Sequence, residues 1–303
     1  MKKFLAEVLV FLIILLISFY LTFMRANGKT DPFYLRFTSP KQHSLILGTS
    51  RAAQGIQPSV LDSILPGSGF YNYSFTIGHS PYGPAYLNSI KKKLDHQTKN
   101  GIFILSVDPW SISSNANDPN NPDRFRERKL AIGKTPVVNI RPNFFYLINA
   151  YDKPFYHLLP RQKSSIILRD DGWLDVKFKI DSLKMEQLIE KKVDSYRKNN
   201  LKKYKFSDVR LEYLTKTITY LKNFGRVYLV RLPVHPRMME IDEEFIPDFD
   251  QKIRQISEQT GTPYFDMSFM NDSILYTDGN HIYRESGKVV SARIGEWIAG
   301  QEQ

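Results

Sequence analysis

The sequence predicts an α/β fold built on a mainly parallel, doubly wound sheet of five strands. Short apolar runs typical of buried strands alternate along the chain with longer segments whose apolar residues recur at helical spacing. The run at 101–107 is apolar almost without interruption, as expected of a central parallel strand covered on both faces. Alternating strands and helices favour parallel strands joined by helical crossovers.

The N-terminus predicts a membrane anchor. An apolar stretch at 4–24, interrupted by Glu7, follows two lysines. About twenty residues at about 1.5 Å each span the ~30 Å hydrocarbon core of a bilayer. The stretch is longer than a signal-peptide core and no Ala-x-Ala follows, which favours an uncleaved anchor over a cleaved signal. We predict a single transmembrane helix at 1–24, with the main domain outside the cytoplasm.

A juxtamembrane linker at 25–42, rich in Gly, Lys, Asp and Pro, is predicted to join this anchor to the α/β domain at 43–303. In the first part of the domain, Pro58 suits the first turn of a helix. The elements predicted there are strands at 44–47, 70–73 and 101–107 and helices at 58–64 and 84–96.

Residues 114–204 interrupt the alternation, and we predict an insertion that folds over the sheet edge or over the site. The segment holds Asn/Asp/Pro-rich loops, an aromatic cluster at 144–156 and a charged helix at 181–199. The alternation then returns. The later elements are predicted as helices at 208–224, 243–260 and 286–297 and strands at 226–232 and 263–266.

The composition excludes some kinds of chemistry, but it leaves two interpretations of the surface charge. The chain has no cysteine, which excludes disulfides, thiolate metal sites and cysteine nucleophiles. No His/Asp/Glu set has metal-ligand spacing, so neither a metal nor a cofactor is predicted. The net charge of +11 is spread widely. This charge indicates either solvated helix faces or a surface that faces anionic lipid or polymer. Nucleic acid is not the expected partner, because no nucleic-acid-binding motif accompanies the charge.

Two short segments contain the residues that could form a nucleophilic acyl-transfer site. The run Leu-Ile-Leu-Gly-Thr-Ser-Arg places Ser50 on the turn where the first strand stops, and Asp278-Gly279-Asn280-His281 places a carboxylate three residues before an imidazole. A serine nucleophile needs such a base, and the base needs a group that fixes its tautomer. The competing interpretations are a turn or cap serine and an exposed loop histidine.

These segments, together with the α/β alternation over about 43–299, resemble the SGNH (GDSL-type) hydrolase superfamily. The first block here is Gly-Thr-Ser-Arg where the family commonly has Gly-Asp-Ser. The resemblance implies a flavodoxin-like three-layer α/β/α sandwich, with Ser50 as nucleophile, His281 as base and Asp278 as its orienting acid. The layout resembles the membrane-anchored branch that includes alginate O-acetyltransferase-like proteins and the D-alanyl transfer protein of teichoic acid synthesis.

The resemblance also implies an oxyanion hole, made in the family by a second-block glycine and a third-block asparagine. Here Asn72 and Gly78 fall in an irregular second block, and Asp108 stands where the third-block asparagine is expected. A carboxylate repels an oxyanion unless the carboxylate is protonated, so Asp108 is a poor donor. The side-chain amide of Asn72 could donate instead. Alternatively, Asn72 hydrogen-bonds backbone groups at the end of its strand. Arg231 and His235, at the end of the fourth strand, are candidates for substrate contact or for loop scaffolding.

The sequence thus predicts a membrane-anchored serine esterase or O-acyltransferase outside the cytoplasm. It would act on acyl esters, in the first place acetyl esters, of cell-envelope carbohydrate through an acyl-serine intermediate. The expected partners are an acyl donor, a carbohydrate or other envelope polymer, the membrane and other envelope-biosynthesis membrane proteins, but not nucleic acid. The alternatives are a catalytically inactive domain that binds or presents an envelope polymer, and an unrelated α/β domain in which Ser50 and His281 lie far apart.

Overall fold

The computed structural model describes residues 1–159, 164–177 and 181–301. Parts of the predicted insertion, 160–163 and 178–180, and the last two residues of the predicted domain lie outside the described residues.

The central sheet has five strands, each parallel to its neighbours, in the order β2-β1-β3-β8-β9. Counted along the chain within this sheet, the order is 2-1-3-4-5, the flavodoxin-like doubly wound order. The predicted fold class is therefore confirmed. The strands are β1 (Ser44–Leu47), β2 (Phe70–Asn72), β3 (Gly101–Ser106), β4 (Ser113–Ser114), β5 (Ile166–Leu168), β6 (Leu174–Val176), β7 (Lys205–Phe206), β8 (Gly225–Arg231) and β9 (Tyr264–Asp266).

Helices cover both faces of this sheet, which makes three layers. Alternate residues of each strand point to opposite faces, so Leu45 and Leu47 join one core and Ile46 the other. The first core lies under α4, α9 and α11, and the second under α2, α3 and α12. The helices are α1 (Lys2–Met24), α2 (Ser50–Gly55), α3 (Pro58–Ile64), α4 (Pro84–Lys93), α5 (Ala131–Lys134), α6 (Phe144–Asn149), α7 (Ser182–Ser195), α8 (Leu201–Lys203), α9 (Asp208–Leu221), α10 (Pro236–Phe245), α11 (Phe249–Thr260) and α12 (Arg284–Gly300).

The predicted helix at 243–260 is wrong, because the structure has two helices there. α10 ends at Phe245 and α11 begins at Phe249. Pro247 lies between them, and a proline disfavours helical backbone in the residue before it, here Ile246, whose ψ is 86°. The break matters for the site because Asp242 on α10 pairs with Arg51, whereas Asp250 on α11 pairs with Arg231.

The apolar helix α1 is long and apolar enough to cross a membrane. The chain after it is packed against the α/β domain: a 3₁₀ helix at Tyr34–Phe37 buries Tyr34 and Phe37 in the first core. Arg36, also buried, donates to the carbonyl oxygens of Asn72 at 3.1 Å and Gly172 at 2.7 Å. The segment predicted as a linker therefore ties the edge strand β2 to the hairpin β5–β6. The domain boundaries themselves remain a prediction.

Two parts of the predicted insertion reach the sheet. The hairpin β5–β6 lies beside β2, where the Asn72 N–H donates to the Asp171 carbonyl oxygen at 2.8 Å. At the other end, α7 packs against α10 through Ile189, Val193 and Met238 in a separate apolar cluster. The hairpin therefore covers a sheet edge, and α7 lies near the loop that contains His281.

Candidate active site

Ser50, His281 and Asp278 lie in hydrogen-bond contact, although the chain separates Ser50 from the other two by most of the domain. Ser50 Oγ is 2.8 Å from His281 Nε2, and His281 Nδ1 is 3.0 Å from both carboxylate oxygens of Asp278. Because Nδ1 faces carboxylate oxygens, it carries the ring proton, which leaves Nε2 free to accept from the serine hydroxyl. All three side chains are half-buried and accessible from solvent.

The serine turn, residues 48–50, is held by the sheet and its core. Gly48 has a φ of +148°, and a Cβ there would lie 2.8 Å from the Ser106 Cβ on β3, so both backbone and space require glycine. Its N–H donates to the Tyr86 hydroxyl at 3.0 Å, and its carbonyl accepts from the Ser80 hydroxyl at 2.7 Å. The turn therefore sets the position of Ser50 through buried contacts.

Thr49 precedes α2 but does not cap it with its side chain. Its hydroxyl instead donates to Asp108 Oδ2 at 2.8 Å, in a fully buried contact at the end of β3. The first-turn N–H groups of a helix have no acceptor within the helix, and here the Thr49 side chain does not cap them. The start of α2 therefore places backbone donors beside the serine hydroxyl.

The histidine loop, residues 278–281, is held by its own acid. Asp278 Oδ1 accepts from the backbone N–H groups of Asn280 at 3.1 Å and His281 at 3.0 Å. Burial disfavours the charged carboxylate, but His281 and Lys192 outweigh that cost and hold the pKa of Asp278 well below its ordinary value. Asp278 is therefore ionised at neutral pH, as the orienting partner of an imidazole must be.

A buried ion pair lies beneath the two segments. The Arg51 guanidinium, directly after Ser50, binds both carboxylate oxygens of Asp242 on α10 at 2.5 and 3.0 Å. Arg51 Nε also donates to the Asn280 side-chain oxygen at 3.0 Å, and the indole N–H of Trp110 donates to Asp242 at 2.7 Å. Arg51 thus joins the start of α2 to the histidine loop, and Trp110 is a packing residue.

The structure corrects the predicted oxyanion hole. The Asn72 amide donates both its hydrogens, to the carbonyl oxygens of Ala52 and Ile56 at 2.9 Å each, so it has none left for an oxyanion. Asp108 is buried, which raises its pKa despite the nearby Arg51, but its two oxygens accept from Thr49 and the Ser111 N–H. It supports the serine turn and is not an oxyanion donor.

Gly78 also fails as an oxyanion donor, because its N–H is directed to the Thr76 hydroxyl at 3.3 Å. Backbone N–H and C=O groups at strand ends and in loops need hydrogen-bond partners, and in this region polar side chains provide them. With these three candidates engaged, the backbone N–H of Ser50, at the start of α2, is the remaining candidate donor beside the nucleophile.

The two candidates at the end of β8 have different surroundings. Arg231 is buried, pairs with Asp250 on α11 and lies over the Phe249 ring at 5.0 Å, so it is a packing residue and not a free anion-binding group. His235 begins α10, and its Nδ1 accepts from the Arg237 N–H at 3.3 Å. It also lines a cleft of about 450 Å³ between α7 and the chain before the histidine loop. Its substrate contact stays a prediction.

Three residues at the site were not among those predicted: Arg51, Asp242 and Lys192. Lys192 Nζ on α7 lies 2.8 Å from Asp278 Oδ2. Arg51 could have been suspected, because a charged residue directly after the serine must either reach solvent or find a buried partner. Nothing local to Asp242 or Lys192 marks them, since each lies on an amphipathic helix where charged residues ordinarily face water.

No protein-family model matches the chain, and no curated protein matches it in sequence. Three solved structures that it is similar to are a carbohydrate acetylesterase family member from Sinorhizobium meliloti and the inhibitor-bound and native forms of an M. smegmatis aryl esterase. The first is 10% identical, with 84% of this chain and 97% of that one covered and a TM-score of 0.39. The other two are 11% and 10% identical, each with 85% of this chain and 99% of that one covered, at TM-scores of 0.37 and 0.36.

Proposed function

We propose that this protein is a serine esterase or O-acyltransferase of the SGNH type, held at a membrane by α1. The observation that carries the proposal is the contact of Ser50 Oγ with His281 Nε2 at 2.8 Å, with Asp278 on the far side of the ring. An activated hydroxyl, a base in the correct tautomer and an orienting carboxylate are the parts of a nucleophilic acyl-transfer site.

The chemistry follows from these contacts. Ser50 Oγ attacks the carbonyl carbon of an ester while its proton passes to His281 Nε2. The imidazolium, stabilised by Asp278, then returns that proton to the departing alcohol oxygen, and an acyl-serine remains. Water or a carbohydrate hydroxyl then attacks the acyl carbon and gives its proton to the same nitrogen. The imidazolium returns that proton to Ser50 Oγ as the serine ester bond breaks, and the acyl group leaves as an acid or a new ester.

The developing oxyanion needs hydrogen-bond donors, and the start of α2 supplies the best candidate. The Thr49 hydroxyl is engaged by Asp108 and does not cap the helix. The Ser50 N–H lies in the first turn of α2, where backbone N–H groups have no acceptor within the helix, and it is adjacent to the nucleophile. Losing one such donor commonly costs about 10²–10³-fold in rate, so this arrangement is worth several kcal/mol of barrier.

The anchor suggests where the substrate lies. With α1 in a bilayer and a short N-terminal tail, the domain is proposed to lie outside the cytoplasm, close to envelope polymers. Acyl esters of envelope carbohydrate are the substrate class that fits this position. Transfer to a polymer hydroxyl and hydrolysis differ only in which hydroxyl resolves the acyl-serine.

Ser50→Ala tests the proposal in the full-length protein in detergent micelles. Hydrolysis of 4-nitrophenyl acetate by the wild type should fall to the buffer background in the variant, because the nucleophile is gone. A fluorophosphonate should label the wild type at Ser50. Ser63→Ala, which removes an exposed hydroxyl on α3, is the control and should change neither result. Turnover by Ser50→Ala at the wild-type rate would remove Ser50 from the role.

A second function has its own observation. Asp108 and Asn72 are both engaged by the protein, so neither supplies the side-chain oxyanion donor that the resemblance implies. A domain without it would bind or present an envelope polymer without acyl transfer. Such a domain would not react with the fluorophosphonate, while an acetylated glycan would still bind to it in calorimetry.

A further inference from the structure

Helix α7 of the insertion contacts the histidine loop through two residues one turn apart. Ile189 Cγ2 lies 3.3 Å from where a Cβ on Gly279 would be, and Lys192 Nζ lies 2.8 Å from Asp278 Oδ2. Gly279 has a φ of +81°, so this position is glycine for its backbone as well as for the close approach. The helix and the loop are therefore packed against each other.

The rest of α7 fixes the place of Lys192. Met185, Ile189 and Val193 recur on one face of the helix and are buried, and the last two share an apolar cluster with α10. Lys192 lies at the edge of that buried face, with 29% of its side chain exposed. The neighbouring Lys191 is exposed. Packing of α7 thus directs Lys192 to the site and Lys191 to solvent.

Asp278 needs an outside partner on one of its oxygens. Oδ1 is filled by two backbone N–H groups and the imidazole, whereas Oδ2 receives only the imidazole from within the loop. Lys192 provides the second donor to Oδ2. This added donor restricts the rotation of the carboxylate, and the ring that it binds is then kept directed at Ser50.

We propose that Lys192 is a positioning residue for the Ser50–His281 pair, a role that rests on the esterase function proposed above. By binding Asp278 it fixes the plane of the carboxylate, and its positive charge offsets part of the negative charge that the imidazole experiences. The insertion is then part of the active site. An acyl-transfer site whose acid is fixed by a helix outside the sheet is also open to control through that helix.

The charged and titratable groups around His281 set the expected pH effect. Asp278 lies in the same loop, and Lys192 lies on α7. Arg51 on α2 and Asp242 on α10 pair with each other. His235 lies at the start of α10, and its backbone N–H donates to the Gly279 carbonyl oxygen. Removing the Lys192 charge leaves Asp278 to attract the imidazolium more strongly. The acid limb of the pH–rate profile therefore moves to higher pH.

Lys192→Met keeps the unbranched side chain, one atom shorter, and removes its charge, and Lys191→Met is the matched control on the same helix. In full-length protein in micelles, Lys192→Met should lower kcat/KM for 4-nitrophenyl acetate about tenfold and shift the acid limb upward. Lys192→Arg should restore the position of the limb because it restores the charge. Lys191→Met should match the wild type in both.

A second readout does not require turnover. The low-field proton resonance of the His281 Nδ1–H, hydrogen-bonded to Asp278, should shift or broaden in Lys192→Met and stay in place in Lys191→Met. A resonance and a pH profile both unchanged in Lys192→Met would overturn the positioning role, as would a loss of rate without a pH shift. If the wild type neither hydrolyses the ester nor reacts with fluorophosphonate, the esterase function fails, and the resonance alone decides the role of Lys192.

Discussion

The serine turn and the histidine loop meet at one hydrogen bond but are held by different means. Gly48 in the serine turn is fixed by buried contacts with β3 and α4, where there is no room for a Cβ. In the histidine loop Asp278 and His281 are half-buried and depend on charge as well as on packing, since Asp278 accepts hydrogen bonds from its own loop and from Lys192. The first segment is set by packing, whereas the second also needs electrostatic contacts.

Because of this difference, we expect substitutions in the two segments to affect different properties, stability in one and activity in the other. Packing defects in a buried turn lower stability first, because cavities and clashes in cores are expensive. Loss of a charge contact at a half-exposed loop leaves the fold nearly intact but changes protonation, which catalysis by an imidazole depends on. Substitutions in the two segments should therefore separate activity from stability.

The largest expected effect is that of Asp278→Asn on activity. The amide would present its NH₂ group to His281 Nδ1, which moves the ring proton to Nε2, and Nε2 can then no longer accept from Ser50. A wrong tautomer of this kind costs on the order of 10³–10⁴-fold in kcat. Steady-state hydrolysis of 4-nitrophenyl acetate measures the change.

The exposed Asp272→Asn is the control and should keep wild-type activity. The thermal unfolding midpoint at pH 7 should fall only slightly in Asp278→Asn. A loss of stability as large as that of a core substitution would mean that packing, not charge, holds the histidine loop.

The sheet was predictable because its signals are local. The apolar runs of β1, β3 and β8 are long enough to identify without any partner, and the helix α3 begins at a proline that suits its first turn. The break between α10 and α11 was signalled by Pro247 and was missed. The short elements of the insertion have no comparable local sequence pattern. Their positions depend on contacts between distant residues, such as that of Arg36 with Gly172.

For the site, two short motifs were enough to predict which side chains meet, because serine and imidazole chemistry limits the residue types. The contact between Ser50 and His281 was therefore foreseeable, although their roles remain a proposal. Asn72 was misleading because a polar residue at a strand end looks the same whether it binds backbone or substrate. Lys192 was invisible because a lysine on an amphipathic helix is usually solvated, and its partner is set by the packing of α7.

The next effect in size is that of Gly48→Ala on stability. Alanine at a φ of +148° is strained, and its Cβ would lie 2.8 Å from the Ser106 Cβ, so we expect a loss of about 3 kcal/mol and a clear fall in Tm. Gly67→Ala is the matched control: its φ is +84°, but no atom lies within 4 Å of the added Cβ. It should cost about 1 kcal/mol, from strain alone. Equal losses in the two variants would exclude a packing constraint at Gly48.

The smallest expected effect is on the pH dependence of stability, and it isolates the charge that holds the histidine loop. The folded-state pKa of Asp278 lies below its unfolded value, so its ionised form stabilises the fold above about pH 4. That contribution is lost as the pH falls further and the carboxylate becomes protonated in the folded protein. The gain is about 1–2 kcal/mol, and Asp278→Asn should lack it. Thermal unfolding followed by circular dichroism from pH 7 to pH 2 measures this contribution. The wild type should be more stable than Asp278→Asn at neutral pH and should lose that advantage below pH 4. The Asp272→Asn control should track the wild type throughout. A constant difference between wild type and Asp278→Asn at every pH would mean that the carboxylate acts through its shape, and the two segments would then be held alike.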